Sequence, residues 1–249
     1  MKTTLAATAL ITALSTPAFA FDITAMTEDE RAMFRAEVRS YLLDNPEVIM
    51  EAVAALEAKQ AAAQADAEKN MVAANAKMLF DDGYSWVGGN PDGDITIIEF
   101  SDYRCGYCRK AMKEVEELVE SDGNIRFILK EFPILGEASL VSSRFAIATL
   151  NVAGPEAYKA AHDALMAMNS EMTEPVLRRL AETLELDADA ILAEMDSDKV
   201  TYAIEENRKL AQIFQINGTP TFIMGDELVR GYVPLNDMRM IVEDIRDNS

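Results

Sequence analysis

The chain has 249 residues, 43 acidic and 23 basic, for a formal net charge of −20 at pH 7. That sign disfavours nucleic acid and anionic membrane surfaces as partners, because both would repel it. The length leaves room for a core domain and a further element beside it.

At the N-terminus, Lys2, the apolar stretch Leu5 to Leu14 and the small residues of Ala18-Phe19-Ala20 read as a secretory signal peptide over 1–20, cut before Phe21. The apolar stretch is shorter than the ~20 residues needed to span a bilayer. Export places the chain where disulfides persist.

Residues 21–82 read as a helical extension. Thr27 and Glu30 form a capping-box pattern, and Phe34, Val38, Tyr41 and Leu42 follow at helical spacing. Asn45-Pro46 breaks the run, since proline drives its predecessor out of the helical region. A second, alanine-dense helix is predicted from there to Phe80. Its stripe of Ile49, Val53, Leu56, Ala63, Ala67, Met71, Ala74 and Met78 is narrow and interrupted by Gln60. Such a seam can pair with another helix and make a homo-oligomer through residues 21–80. Packing back on its own domain, or a solvated spacer, fits the same pattern.

The core domain is expected over 83–249. Asp81-Asp82-Gly83 is a turn, and Gly88-Gly89-Asn90-Pro91-Asp92-Gly93-Asp94 reads as loop. Ile95 to Phe100 reads as a buried strand, Arg109 to Val119 as an amphipathic helix, and Ile125 to Phe132 as the next strand. That order implies a parallel pair joined by a right-handed crossover. Residues 137–213 are helical throughout and read as an inserted subdomain. Thr221-Phe222-Ile223-Met224, Gly225-Asp226-Glu227 and Leu228 to Tyr232 form a β-hairpin, and a last helix covers 235–247.

The only two cysteines, Cys105 and Cys108, lie between the first strand and its helix. A C-x-x-C pair at such a junction reads as redox-active. The helix N-terminus offers unpaired amides and partial positive charge, which stabilise a thiolate at Cys105, the species that attacks disulfides. A passive crosslink explains the pair poorly, because a two-residue loop leaves little entropy to remove. A structural zinc site usually takes four ligands, and the one histidine, His162, is distant in sequence and reads as a surface or packing residue. The 14 methionines are scattered and read as core filler. No phosphate loop, catalytic triad or metal-ligand spacing stands out, so no cofactor and no metal are expected.

Glu99 to Cys108 (Glu-Phe-Ser-Asp-Tyr-Arg-Cys-Gly-Tyr-Cys), together with Gly218-Thr219-Pro220-Thr221-Phe222, resembles the DsbA-like branch of the thioredoxin-fold thiol:disulfide oxidoreductases. The helical block between the two motifs matches that branch. The resemblance implies an α/β thioredoxin fold with an inserted helical subdomain, preceded here by the N-terminal helical extension. It implies that Cys105 attacks, that Cys108 is the buried resolving cysteine, and that Thr219-Pro220 is a cis-proline loop aligning a client beside the sulfur. It implies that Glu99 is a buried acid assisting proton transfer at Cys108; Lys130, on the next strand, is its candidate ion-pair partner. Strongly oxidising members carry histidine where this chain has Tyr107, which implies a milder oxidant. Gly-Tyr between the cysteines and Thr before the proline are similar to DsbC-type isomerases and to the oligomeric ScsC proteins linked to copper tolerance.

The expected function is therefore exported, periplasmic disulfide exchange with unfolded or misoxidised protein clients, leaning to isomerase or reductase, with a membrane or soluble redox partner. A DsbA-type oxidase, a Cu(I) module using the same two thiolates, and a scaffold with incidental cysteines are the alternatives.

Overall fold

The computed structural model describes residues 23–248; the signal peptide expected over 1–20 lies outside the described residues. The described residues divide into two compact units, one up to Gln60 and one from Ala61.

The first unit contains α1 (Glu28–Asp44) and the beginning of α2 (Glu47–Ala74). The capping box expected at Thr27 is present. The Thr27 amide donates to Glu30 Oε2 at 2.8 Å, and the Glu30 amide donates to Thr27 Oγ1 at 3.3 Å. Asn45 closes α1 through its amide on the Tyr41 carbonyl, ahead of Pro46. No residue of α1 is buried. Phe34, Val38, Leu42, Leu43 and Ile49 line a shallow apolar groove on this unit.

In the second unit α2 runs only to Ala74, and a short α3 (Ala76–Phe80) follows. The single helix expected to Phe80 is broken at Asn75. Its side-chain amide donates to the Met71 carbonyl at 2.8 Å, competing with the helical ladder as asparagine does. Val72 and Leu79 are buried in the core. The stripe read along this helix thus splits: Ile49, Val53 and Leu56 are exposed, whereas Met71 packs against the core.

Among the described residues five strands form one sheet in the order β1-β3-β2-β4-β5. They are β1 (Trp86–Gly89), β2 (Ile95–Ser101), β3 (Ile125–Glu131), β4 (Thr221–Met224) and β5 (Glu227–Arg230). β2 and β3 pair in parallel, joined through α4 (Gly106–Asp122), and the other pairs are antiparallel. Strand β1 lies partly where the sequence reads as loop. Its Gly88-Gly89 reads as loop, yet Gly88 is needed because the Trp86 indole lies across it where a Cβ would stand. At the other end of the crossover, Gly123 ends α4 at φ +72, a conformation glycine adopts without strain.

Side chains alternate across the sheet and sort into two cores. Ile95 and Ile97 of β2, with Ile125, Phe127 and Leu129 of β3, meet Ala111, Val115 and Leu118 of α4. They also meet Met238 and Val242 of α10 (Leu235–Asp247). Ile98, Phe100, Ile128 and Ile223 face the other way, against Val72, Leu79, Leu210 and Phe214. The helical insertion is present as α5 (Glu137–Ala153), α6 (Pro155–Ala167), α7 (Glu174–Thr183), α8 (Ala188–Glu194) and α9 (Asp198–Ile213). The result is an α/β thioredoxin fold with inserted helices and a helical N-terminal region.

Candidate dithiol active site

Cys105 is the N-cap of α4, and the Cys108 amide donates to its sulfur at 3.2 Å. Both thiols are free and buried, Cys105 at 6% exposure and Cys108 at 0%. The asymmetry between them is electrostatic. The Cys108 thiol hydrogen-bonds to Cys105, and the Thr219 side chain and the amides of Cys108 and Tyr107 add to it; together they outweigh burial and bring the Cys105 thiol down to about 6. Cys108 is driven far upward by burial first, then by its donation to Cys105 and by the negative charge of Glu99. One sulfur is thus ionised near neutrality and its neighbour is held protonated.

The Thr219-Pro220 peptide bond is cis. It places the Thr219 carbonyl 3.1 Å from Cys105 Sγ, where a protonated thiol donates to it. Gly218, Pro220 and Gly231 line an open groove beside this contact.

Glu99 is buried on the α4 side of β2. Burial is the main cause that raises its carboxyl to about 7; the charges of Cys105 and Glu131 push the same way, and the Ser101 hydroxyl opposes them. Lys130 is not its partner. In the parallel register Glu99 faces Leu129, so Lys130, one residue on, projects from the opposite face of the sheet. There its ammonium pairs with Asp82 and donates to the Met78 carbonyl at 2.9 Å.

A folded pKa above the unfolded value means that stability is full below about 4.5 and is lost as pH rises through about 7. Glu99→Gln should therefore flatten part of that fall, raising stability at pH 8 by up to about 3 kcal/mol at roughly 1.4 kcal/mol per unit. Urea unfolding at pH 5 and pH 8 checks this. An unchanged difference between the two pH values would refute it.

Three further residues shape the site. The Asp102 carboxylate accepts from the amides of Arg104 at 2.7 Å, Ile134 at 2.8 Å and Leu135 at 3.0 Å, and from Ser139 Oγ at 2.7 Å. It ties the cysteine loop to the start of the insertion. Arg109 donates to the Tyr103 carbonyl at 2.9 Å and to the Met168 carbonyl at 2.7 Å, clamping that loop from α4. Glu131 accepts from Tyr103 at 2.7 Å, Tyr158 at 2.6 Å and Ser143 at 2.7 Å, and burial raises it to about 7. Sequence reading assigned none of these a role. The signal for Glu131 was a second charge beside Lys130 in an otherwise apolar strand.

The thioredoxin family model matches residues 81–244. The chain belongs to the thioredoxin family. Its DsbA-like character rests on the inserted helices and on likeness to solved members. A thioredoxin-like oxidoreductase from Silicibacter pomeroyi is 40% identical, with a TM-score of 0.64 over 69% of this chain and 97% of that one. The thiol-disulfide exchange protein alpha-DsbA2 from Wolbachia pipientis is 28% identical, with a TM-score of 0.68 over 74% of this chain and 98% of that one. Proteus mirabilis ScsC, in a transitional conformation, is 26% identical, with a TM-score of 0.63 over 90% and 98%. Residues 30–63 match the model of the copper resistance protein ScsC N-terminal domain. Curated relatives include Na⁺/H⁺ antiporters of Salinispora, and this thioredoxin-family chain spans 21% of their length. Among the described residues no helix is long and apolar enough to cross a membrane.

Proposed function

We propose that the chain is an exported, periplasmic thiol:disulfide oxidoreductase that exchanges disulfides with protein clients and leans toward isomerase or reductase. The observation that carries this reading is the opposite displacement of the two thiols, Cys105 to about 6 and Cys108 far upward. The Cys105 thiolate attacks a client disulfide, a mixed disulfide forms, and one client thiolate leaves. Cys108 then gives up its proton, with Glu99 as the nearby acceptor, and attacks the Cys105 sulfur. The client departs with two thiols, and the chain keeps the Cys105–Cys108 disulfide. In isomerisation a client thiolate resolves the mixed disulfide instead, and no net electrons pass.

A Cys105 thiol near 6 lies between thioredoxin at about 7 and DsbA at about 3.5. The reduced state is then stabilised less than in the strongest oxidants. Tyr107, exposed and stacked on Tyr232, supplies no cation to stabilise the thiolate further. Support for assembly comes from the exposed apolar side chains of α1 and early α2, which match the ScsC N-terminal domain. Several active sites around one cleft would suit reshuffling.

Reactivation of scrambled ribonuclease tests the preference. The full chain should reactivate it, and a chain lacking residues 21–60 should keep insulin reduction but lose most of the reactivation and sediment as a smaller species. Rapid oxidation of reduced peptides without reactivation would contradict the isomerase reading. The deletion stops at Gln60 because Val72 and Leu79 belong to the core.

The ScsC N-terminal match also favours a second reading, Cu(I) held by the two thiolates, since a soft metal suits sulfur. Among the described residues no group of three or more His, Cys, Asp and Glu is set to hold a metal, so Cu(I) would rest on Cys105 and Cys108 alone. Stoichiometric Cu(I) retention without insulin reduction would favour it.

A further inference from the structure

Between α4, the sheet and α6 lies a cavity of about 370 Å³. Its walls are apolar: Val115 and Val119 from α4, Trp86 and Phe127 from the sheet. Two deeply buried polar side chains also line it, Glu99 at 3% exposure and His162 at 4%. The Glu99 carboxylate lacks a firm partner. Among the described residues the donor set beside it is the Ser101 hydroxyl, and Ser101 Oγ makes no well-formed hydrogen bond.

The protonation of His162 follows from its neighbours. The Tyr103 hydroxyl has one proton and gives it to Glu131, so its 3.0 Å contact with His162 Nδ1 is accepted from the ring. Burial holds the ring neutral, which leaves Nε2 as an acceptor. Glu116 and Glu120 stand at the edge of the cavity with Lys159. The lysine is spent on Glu116 at 2.5 Å and on both oxygens of Asp163 at 2.7 and 2.6 Å. The entrance is therefore net negative, the interior offers acceptors, and the walls are aromatic and aliphatic.

We propose that this cavity binds a small organic ammonium ion with an apolar body, its charge on Glu99 and His162 and its body against Trp86 and Phe127. An ammonium has donors and no acceptor, which matches the two acceptors facing it. It compensates a buried carboxylate whose ionisation is otherwise costly. The aromatic walls add cation–π attraction as well as apolar burial. An anion meets three carboxylates, and a neutral molecule leaves Glu99 uncompensated. Because Glu99 also raises the Cys108 thiol, an ammonium resting on it eases ionisation of the resolving cysteine.

Trp86 is the single tryptophan of the chain and lies in the cavity wall, so its emission reports occupancy without any activity assay. The probes are 2-phenylethylammonium and its neutral counterpart 2-phenylethanol, titrated into the full chain. The ammonium should change Trp86 emission saturably, and the alcohol should bind at least about tenfold more weakly, a difference near 1.4 kcal/mol. Glu99→Gln should weaken the ammonium by a similar factor and leave the alcohol unchanged. Val119→Phe, which fills the cavity without touching the carboxylate, should weaken both. No saturable change up to about 10 mM, the weak end for a molecule this small, would overturn the proposal. Equal binding of the two probes, or undiminished ammonium binding by Glu99→Gln, would overturn it as well.

Discussion

Cys105→Ser should reduce insulin reduction and disulfide exchange to the uncatalysed background, while Cys108→Ser should accumulate one client-linked species per chain. The two outcomes differ because the sulfurs differ. Cys105 sits at the N-cap of α4 with its thiol lowered to about 6, whereas Cys108 is fully buried with its thiol raised. Without Cys105 no nucleophile is presented beside the Thr219 carbonyl. Without Cys108 the first bond forms and nothing inside the protein breaks it. Non-reducing electrophoresis after mixing with a disulfide client reads both results. A trapped species with Cys105→Ser instead of Cys108→Ser would reverse the assignment of roles.

Asp82→Ala should destabilise the fold by about 3–5 kcal/mol, the usual cost of leaving one charge of a buried pair alone. The Lys130 side chain is 0% exposed, and Asp82 is the anion beside it. Burial lowers the Lys130 pKa while Asp82 opposes that shift, so the pair is compensated only while both are present. Asp82 also orders the chain ahead of β1 by accepting from the amides of Tyr84 at 3.0 Å and Ser85 at 2.9 Å. Adding Lys130→Met to Asp82→Ala should recover a good part of the loss, because an apolar chain of similar length removes the stranded charge. Urea unfolding of the single and double variants measures the effect. A loss under about 1 kcal/mol for Asp82→Ala would mean that the pair is hydrated rather than buried.

The site was legible where the chemistry is local. Two cysteines three apart at a strand–helix junction announce themselves, and the element order around them follows from apolar periodicity. Glycine and charge hid what was missed. Gly88-Gly89 looks like a loop because its strand role depends on Trp86 lying over Gly88, a tertiary contact. The sequence points Lys130 to Glu99 because both are charges on neighbouring strands. The pairing fails on parity, and parity is known only once the register sets Glu99 opposite Leu129. Asp102 and Arg109 sat inside the motif, but their work is to tie the cysteine loop to Ile134, Leu135 and Met168, which are distant in sequence. The long alanine-rich helix gave no sign of where it would join the core, since alanine suits solvent and interior alike. Val72 and Leu79 settle that only through packing.

The most direct test of the account is thiolate absorbance of the reduced chain against pH, with Cys105→Ser as the control. A single sulfur should ionise with a midpoint near 6, and the step should vanish in the variant. A midpoint at or above the ordinary thiol value of 9.0, or a step that survives in Cys105→Ser, would contradict it.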